Sequence, residues 1–254
     1  MDDLPPVGLG TMGIDDPNRV AAAIDAGYRH LDTASVYDNE AVVGEGIARA
    51  DTPREELFVA TKLWIDDLAP ERVRPATEAA LERLGLDSVD LLYVHRPRGD
   101  YKPAETLPEI DAVHDDGLTE RVGVSNFLRG DLELARQHLD VDLFANQIEL
   151  HPYWVEEATI ADAREHDYAV VGYSPLANGD VFDDPVLQDI AADRDATVAQ
   201  VAIAWCLERA DAVIPKGTSR AHQRENLAAA DLDLSGDDLA RIDAIERENE
   251  VFPE

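Results

Sequence analysis

Eight short apolar runs, each followed by an amphipathic stretch, constrain this chain more than any other feature of its sequence. The runs lie at 7–10, 28–32, 57–61, 89–94, 121–124, 143–147, 169–173 and 212–214. Most are rich in Val, Leu or Ile and lack polar–apolar alternation, the pattern of strands buried on both faces of a parallel sheet. Helix patterns separate them at 17–26, 39–49, 70–84, 103–116, 129–139, 155–166, 198–208 and 221–229, and a last one at 236–247 closes the series. The punctuation agrees: Asp15-Asp16 precede Pro17, and Gly85 and Gly117 stand where helices should stop. Eight βα units of roughly 30 residues are the size of a (β/α)8 TIM barrel. No Ser/Gly-rich linker or composition break interrupts residues 1–254, so a single α/β domain is expected, with an open doubly wound sheet as the alternative.

A barrel of this kind builds its active site at the C-terminal ends of its strands. Polar residues at those ends are Asp32 with Tyr37 in the loop beyond it, then Lys62 and Trp64, then His95. Ser125 and Asn126, Gln147, Tyr173 and Ser174, and Lys216 follow on the later strands. Tyr, Lys, Asp and His on neighbouring strands make an acid–base set. An ammonium beside a phenol favours phenolate, an aspartate keeps that ammonium charged, and a histidine can hydrogen-bond a substrate oxygen. Singly, each has a plainer reading as a cap, a surface charge, a loop aromatic or a core histidine. It is their joint placement that points to chemistry. His30, His114, His138 and His166 lack metal-ligand spacing, so no metal site is expected.

Gly8-Leu-Gly-Thr-Met-Gly13 matches a dinucleotide-binding fingerprint, with Asp32 about 20 residues on. Its context argues against that reading. The preceding strand is very short, follows Pro5-Pro6, and the next helix begins only after Asp15-Asp16-Pro17. No tyrosine is followed four residues later by lysine, which also disfavours a short-chain dehydrogenase.

Charge narrows the partners. Asp and Glu total 54 against 22 Lys and Arg, a net charge of −32, and acidic pairs are scattered along the whole chain. Nucleic acid and anionic membranes require basic clusters, and none is present. No run is long and apolar enough to span a membrane, and Met1-Asp2-Asp3-Leu4 lacks the apolar stretch of a secretory leader. The single cysteine, Cys206, suits a reducing compartment, so a cytoplasmic monomer is expected. Only Lys62, Lys102 and Lys216 remain against 19 arginines. Near-abandonment of lysine together with the acidic surface suggests a halophilic protein, whose self-repulsion molar salt would screen. The expected result is a Tm that rises from 0.01 M to about 2 M KCl, over which the Debye length shrinks from roughly 30 Å to under 3 Å. Sucrose serves as the control for solute exclusion. A flat or falling Tm would reject the halophilic reading.

The segment Asp25-Ala-Gly-Tyr-Arg-His-Leu-Asp-Thr-Ala-Ser-Val-Tyr-Asp-Asn-Glu-Ala-Val-Val-Gly44 resembles the leading signature of the aldo-keto reductases. Thr61-Lys-Leu-Trp64, Asp90-Leu-Leu-Tyr-Val-His95, Gly123-Val-Ser-Asn-Phe127, Asn146-Gln-Ile-Glu149, Tyr173-Ser-Pro-Leu176 and Ile214-Pro-Lys216 match that family in order. The resemblance implies a (β/α)8 enzyme reducing small aldehydes and ketones with NAD(P)H. It implies Tyr37 as general acid, Lys62 as the residue lowering its pKa, Asp32 as partner of Lys62, and His95 as the group orienting the carbonyl. Ser125, Asn126 and Gln147 would hold the nicotinamide carboxamide and Tyr173 would stack on its ring. Ser174 and Leu176 would meet the pyrophosphate or ribose, Lys216 the adenosine-side phosphate, and Glu225 and Asn226 the adenine. Trp64 and Arg96, the latter where the family often has tryptophan, would face the substrate.

Two departures qualify this. Gly217 stands where the family usually has serine, and His222 stands six residues after Lys216 where arginine is usual. Arg220 and Arg224 flank His222 and offer the bidentate fork that suits phosphate, so NADP(H) is expected over NAD(H). The family's N-terminal hairpin and long C-terminal loop have no evident counterpart, so a shallow, open, polar pocket is expected, resembling the diketogluconate-reductase-like branch. The alternative is a cofactor-sensing binding subunit like the channel β-subunits that share this fold, which would bind nicotinamide without turnover.

Overall fold

The computed structural model describes residues 4–253; Met1, Asp2 and Asp3 of the leader reading, and Glu254, lie outside the described residues. Its strands are β1 (Leu9–Gly10), β2 (His30–Asp32), β3 (Phe58–Leu63), β4 (Leu91–Val94), β5 (Val122–Ser125), β6 (Leu143–Glu149), β7 (Ala169–Tyr173) and β8 (Ala212–Val213). All neighbouring pairs are parallel, in the unbroken order β1 to β8. The order never reverses, so the described residues contain no doubly wound switch point, and the glycine fingerprint at 8–13 is not the opening of a Rossmann unit. The sheet curls. Beyond the paired strands, the Gly8 N–H donates to the Val213 carbonyl at 2.8 Å and the Val213 N–H to Pro6 at 2.9 Å, with further parallel bridges at Val7–Val213 and Gly10–Lys216.

The helices are α1 (Pro17–Ala26), α2 (Glu40–Arg49), α3 (Pro70–Leu84), α4 (Pro103–Asp115), α5 (Arg129–His138), α6 (Glu157–His166), α7 (Pro185–Asp193), α8 (Val198–Leu207), α9 (Arg220–Ala228) and α10 (Gly236–Asp243). Local chemistry sets their ends. Asp16 caps α1 by accepting from the Asn18 N–H, with Pro17 in the first turn, and Gly85 ends α3 at φ 65°, a conformation that costs a glycine little. The helix α7 is absent from the sequence reading, although Asp184-Pro185 is the same start signal as Asp16-Pro17; Asp184 caps it by accepting from Val186 and Leu187. The last helix also differs. It ends at Asp243 rather than at 247, and the residues after it run on without helix. None of these helices is long and apolar enough to cross a membrane.

Strand periodicity divides the interior in two. On β3, Val59 and Leu63 pack outward into the larger core between sheet and helices, while Phe58 and Ala60 belong to a smaller core inside the curl with Leu91, Tyr93, Ala145, Val171 and Ile214. His30 lies in this inner layer edge-on to Phe58, and burial pushes its imidazole down to about 4, so it stays neutral. The same alternation places Asp32, Lys62, Ser125, Gln147, Glu149 and Tyr173 on the inner face, above that apolar floor.

Candidate active site

Strand spacing brings the sequence-predicted acid–base residues together. Lys62, one residue inside the end of β3, is fully buried and ion-pairs with Asp32 at the end of β2. Its ammonium also donates to the Thr33 carbonyl at 2.8 Å and lies 5.3 Å from the Tyr37 ring centroid. Burial works against the charge on Lys62. Asp32 and Tyr37 more than offset it, and the ammonium is held above its ordinary pKa. Burial pushes the Tyr37 hydroxyl above the ordinary tyrosine value, with Lys62 acting in the opposite direction. In the free protein the phenol therefore carries its proton. His95, just beyond β4, is edge-on to Tyr37 (centroids 6.0 Å) and to Trp64 (4.9 Å). Burial, then the charges of Lys62 and Arg96, push its imidazole down to about 2, so it is neutral.

Tyr37 sits on a single turn, Ser35–Tyr37, fastened by the residues after it. The Asn39 amide donates to the carbonyls of Thr11 (2.7 Å) and Ile14 (3.0 Å) and accepts from the Thr33 hydroxyl (3.2 Å). Glu40 accepts from the hydroxyl of Thr61, the neighbour of Lys62, at 2.5 Å and pairs with Arg83 at 2.6 Å. Tyr37 is thus tied to both strands that carry its neighbours Asp32 and Lys62.

Gln147 donates to the second oxygen of Asp32 at 2.7 Å. Ser125 donates to the Gln147 carbonyl at 3.0 Å and accepts from the Asn126 amide at 3.0 Å, while Tyr173 donates to Asn126 Oδ1 at 2.8 Å. These groups form one hydrogen-bonded series from Tyr173 to Lys62. Asp38, Asn126, Ser174, Ala177 and Asn178, all in the loops around this site, have positive φ, the kind of backbone strain that collects at functional sites.

A cleft of about 860 Å³ opens above this series. Asp32, Tyr37, Trp64, His95, Arg96, Ser125, Asn126, Gln147, Tyr173, Ser174, Leu176 and Lys216 all line it, as do Phe182 and Phe252. Lys62 lies beneath it. Arg220, Arg224, Glu225 and Asn226 are not in its wall: they sit on α9, whose first turn follows Lys216 and Thr218. Arg220 and Arg224 are exposed, Glu225 is half-buried, and the buried Asn226 donates to the Lys216 carbonyl at 3.4 Å. Gly217 has a packing reason. A Cβ there would stand 2.9 Å from Gln223 Cγ, and the Gln223 amide bonds the Gly217 carbonyl at 3.1 Å. Among the described residues no group of three or more His, Cys, Asp or Glu side chains is placed to hold a metal.

Sequence and fold place the chain among known proteins. The aldo/keto reductase family model matches residues 6–247. A methylglyoxal reductase of Escherichia coli O157:H7, DkgB, is 36% identical over 249 residues, covering 96% of this chain and 93% of its own. A glyoxal reductase of Bacillus subtilis is 35% identical over 255 residues, covering 99% and 92%. The structure of an aldose reductase from Schistosoma japonicum superposes with a TM-score of 0.93 at 29% identity, covering 98% of this chain and 91% of that one. The chain belongs to the aldo/keto reductase family, and it is an oxidoreductase of the class that acts on small carbonyl compounds.

Proposed function

We propose that this protein reduces aldehydes and ketones to alcohols at the expense of NADPH, with NADH the poorer donor and Tyr37 delivering the proton. The observation that carries the reading is the buried Asp32–Lys62 pair beneath a protonated Tyr37 and a neutral His95, on the floor of the cleft. On the same reading the curled sheet closes as a (β/α)8 barrel, which the hydrogen bonds between residues 6–10 and 213–215 support.

The cleft suits a dinucleotide. At about 860 Å³ it far exceeds the needs of a two- or three-carbon carbonyl, and it runs from Trp64 and His95 past Tyr173 to Lys216 and Thr218. Ser125, Asn126 and Gln147 would hold a carboxamide, Tyr173 would face the ring, and Ser174 and Leu176 would meet the diphosphate. Lys216, Arg220, Arg224 and the first turn of α9 would receive the adenosine-side phosphate, since a helix N-terminus favours anions. Glu225 and Asn226 would sit near the adenine. Bound there, a reduced nicotinamide supplies the hydride.

The chain's own share is the proton and the geometry. His95, neutral and packed between Tyr37 and Trp64, offers a hydrogen bond to the carbonyl oxygen rather than a charge. Tyr37 passes its proton to that oxygen as negative charge develops there. Lys62 stabilises the phenolate left behind, and Asp32 keeps Lys62 charged. Trp64 and Arg96 face the substrate side of the cleft. The names of the similar methylglyoxal and glyoxal reductases favour α-oxoaldehydes as first candidates. The test is an aldehyde panel, including methylglyoxal and sugar-derived carbonyls, with NADPH and NADH in low and high KCl. Coenzyme binding without turnover on any carbonyl would favour the cofactor-sensing alternative.

Coenzyme choice is testable at one side chain. Lys216→Ala is expected to raise KM for NADPH about 10-fold, the loss of one charge-assisted contact, and to leave NADH nearly unaffected. Equal effects on both coenzymes would mean that Lys216 reads only what they share.

A further inference from the structure

Glu149 and His151 belong to the β6 region that supplies Gln147, yet the proton-donor network uses neither. Glu149 ends β6 on the inner face, and its carboxylate is almost fully buried. A carboxylate removed from water needs donors. Glu149 has three: the Val251 N–H at 2.5 Å, the Phe252 N–H at 3.0 Å and His151 Nε2 at 2.9 Å. His151 Nδ1 accepts from the Tyr153 N–H at 3.3 Å, so the ring proton sits on Nε2 and the histidine donates to Glu149.

The two backbone donors come from the segment after α10. That segment is fastened on its way up. The Asn249 N–H donates to the Tyr153 carbonyl at 3.1 Å and its amide to Asp180 at 3.1 Å. Arg247 pairs with Asp180 and lies 4.6 Å from the Tyr153 ring centroid. Glu149 is in register with Tyr173 on β7, and the Phe252 ring meets the Tyr173 ring edge-on at 5.9 Å. Phe252 thereby becomes part of the cleft wall. The polar, open pocket expected from the sequence has an apolar wall there.

We infer that Glu149 is a positioning residue, a latch that holds the 251–252 backbone and so sets Phe252 as the wall selecting carbonyls with an apolar or aromatic substituent. The selectivity half rests on the carbonyl-reductase reading; the latch does not. The donors are backbone amides of one short segment and the acceptor is one side chain, so removing that side chain should free the tail without changing any residue of the proton-donor network.

The test has two arms on the full chain. Hydrogen exchange without ligand reads protection of the Val251 and Phe252 amides in the wild type, in Glu149→Ala and in Glu149→Gln. The Glu149→Gln change keeps the side-chain volume and one acceptor oxygen, which guards against a folding defect in the alanine variant. Protection is expected to vanish in Glu149→Ala and to be partial in Glu149→Gln. Amides still protected in Glu149→Ala would overturn the latch. The second arm compares kcat/KM for phenylglyoxal with that for methylglyoxal. Phe252→Ala and Glu149→Ala are each expected to lower that ratio roughly 10-fold, the scale on which an apolar pocket discriminates, with coenzyme Kd unchanged. The double variant should lose no more than the larger single loss, because both changes remove the same wall. A wild-type ratio in Phe252→Ala, or losses that multiply in the double variant, would overturn the coupling. If the wild type turned over neither aldehyde, the selectivity half would fall with the reductase reading, while the exchange arm would still decide the latch.

Discussion

Tyr37→Phe is expected to lower carbonyl reduction by about 100- to 10,000-fold, the range of a positioned general acid, while coenzyme binding persists. Phenylalanine keeps the edge-on contact with His95 and the face toward Lys62, and removes only the hydroxyl. That hydroxyl matters most as the carbonyl oxygen gains charge, so its loss should appear in kcat and not in coenzyme Kd. Single-turnover reduction with saturating NADPH, beside a fluorescence titration of the coenzyme, separates the two. A kcat near that of the wild type would remove Tyr37 from the mechanism.

The second large effect is expected in stability. Lys62 and Asp32 are buried together, and Gln147 donates to the other carboxylate oxygen. Lys62→Met leaves an aspartate in a dry site with its principal partner gone, a change that costs about 3–5 kcal/mol. In a domain of this size that is roughly 6–20 °C in Tm. The sign of its pH dependence follows from the same burial. An unpaired buried Asp32 would have a pKa above its unfolded value, so the folded state would hold the proton more tightly. Stability would then fall as pH rises through the interval between the two values. The Tm deficit of Lys62→Met should therefore shrink as pH is lowered toward about 4, near the unfolded aspartate pKa. Adding Asp32→Asn should restore most of the loss at neutral pH, because removing both charges leaves no uncompensated one. A deficit that ignores pH and is not restored by the second substitution would mean that packing, not charge, carries the cost.

Much of this site is legible in the sequence because its residues sit at strand ends, and strand ends can be read from short apolar runs. Asp32, His95 and Tyr173 follow from that alone, and Tyr37 from the loop that continues β2. The apolar run at 57–61 stops short of Lys62, whereas β3 runs through it to Leu63. The inward direction of its side chain comes from the alternation along that strand and not from a loop. Glu40 escapes a sequence reading because nothing local marks a carboxylate whose partners, Thr61 and Arg83, lie 21 and 43 residues away. The same holds for the bonds from Gln147 to Asp32 and from the 251–252 backbone to Glu149, which span more than a hundred residues. Local signals show where a strand ends. They do not say which distant donor a buried carboxylate will find. The helix α7 is a different case: its cap is visible at Asp184-Pro185, and the expectation of one helix per strand obscures it.

The sheet separates an inner face from an outer one that packs against the helices. The side chains of the candidate site stand on the inner face or just above it, and Lys62 does not touch solvent at all. Acidic residues lie on the outward sides of the helices and in the loops before them, in exposed pairs such as Glu78 with Arg74 on α3 and Asp15, just before α1, with Arg19. Exposed pairs of that kind contribute little to stability one by one. The outer ring can therefore exchange its ionic character position by position without disturbing the Asp32, Tyr37, Lys62 and His95 cluster. A lineage entering a new solvent could rewrite its exterior while inheriting its chemistry unchanged, and a protein engineer could recharge the helices for a different medium by the same route.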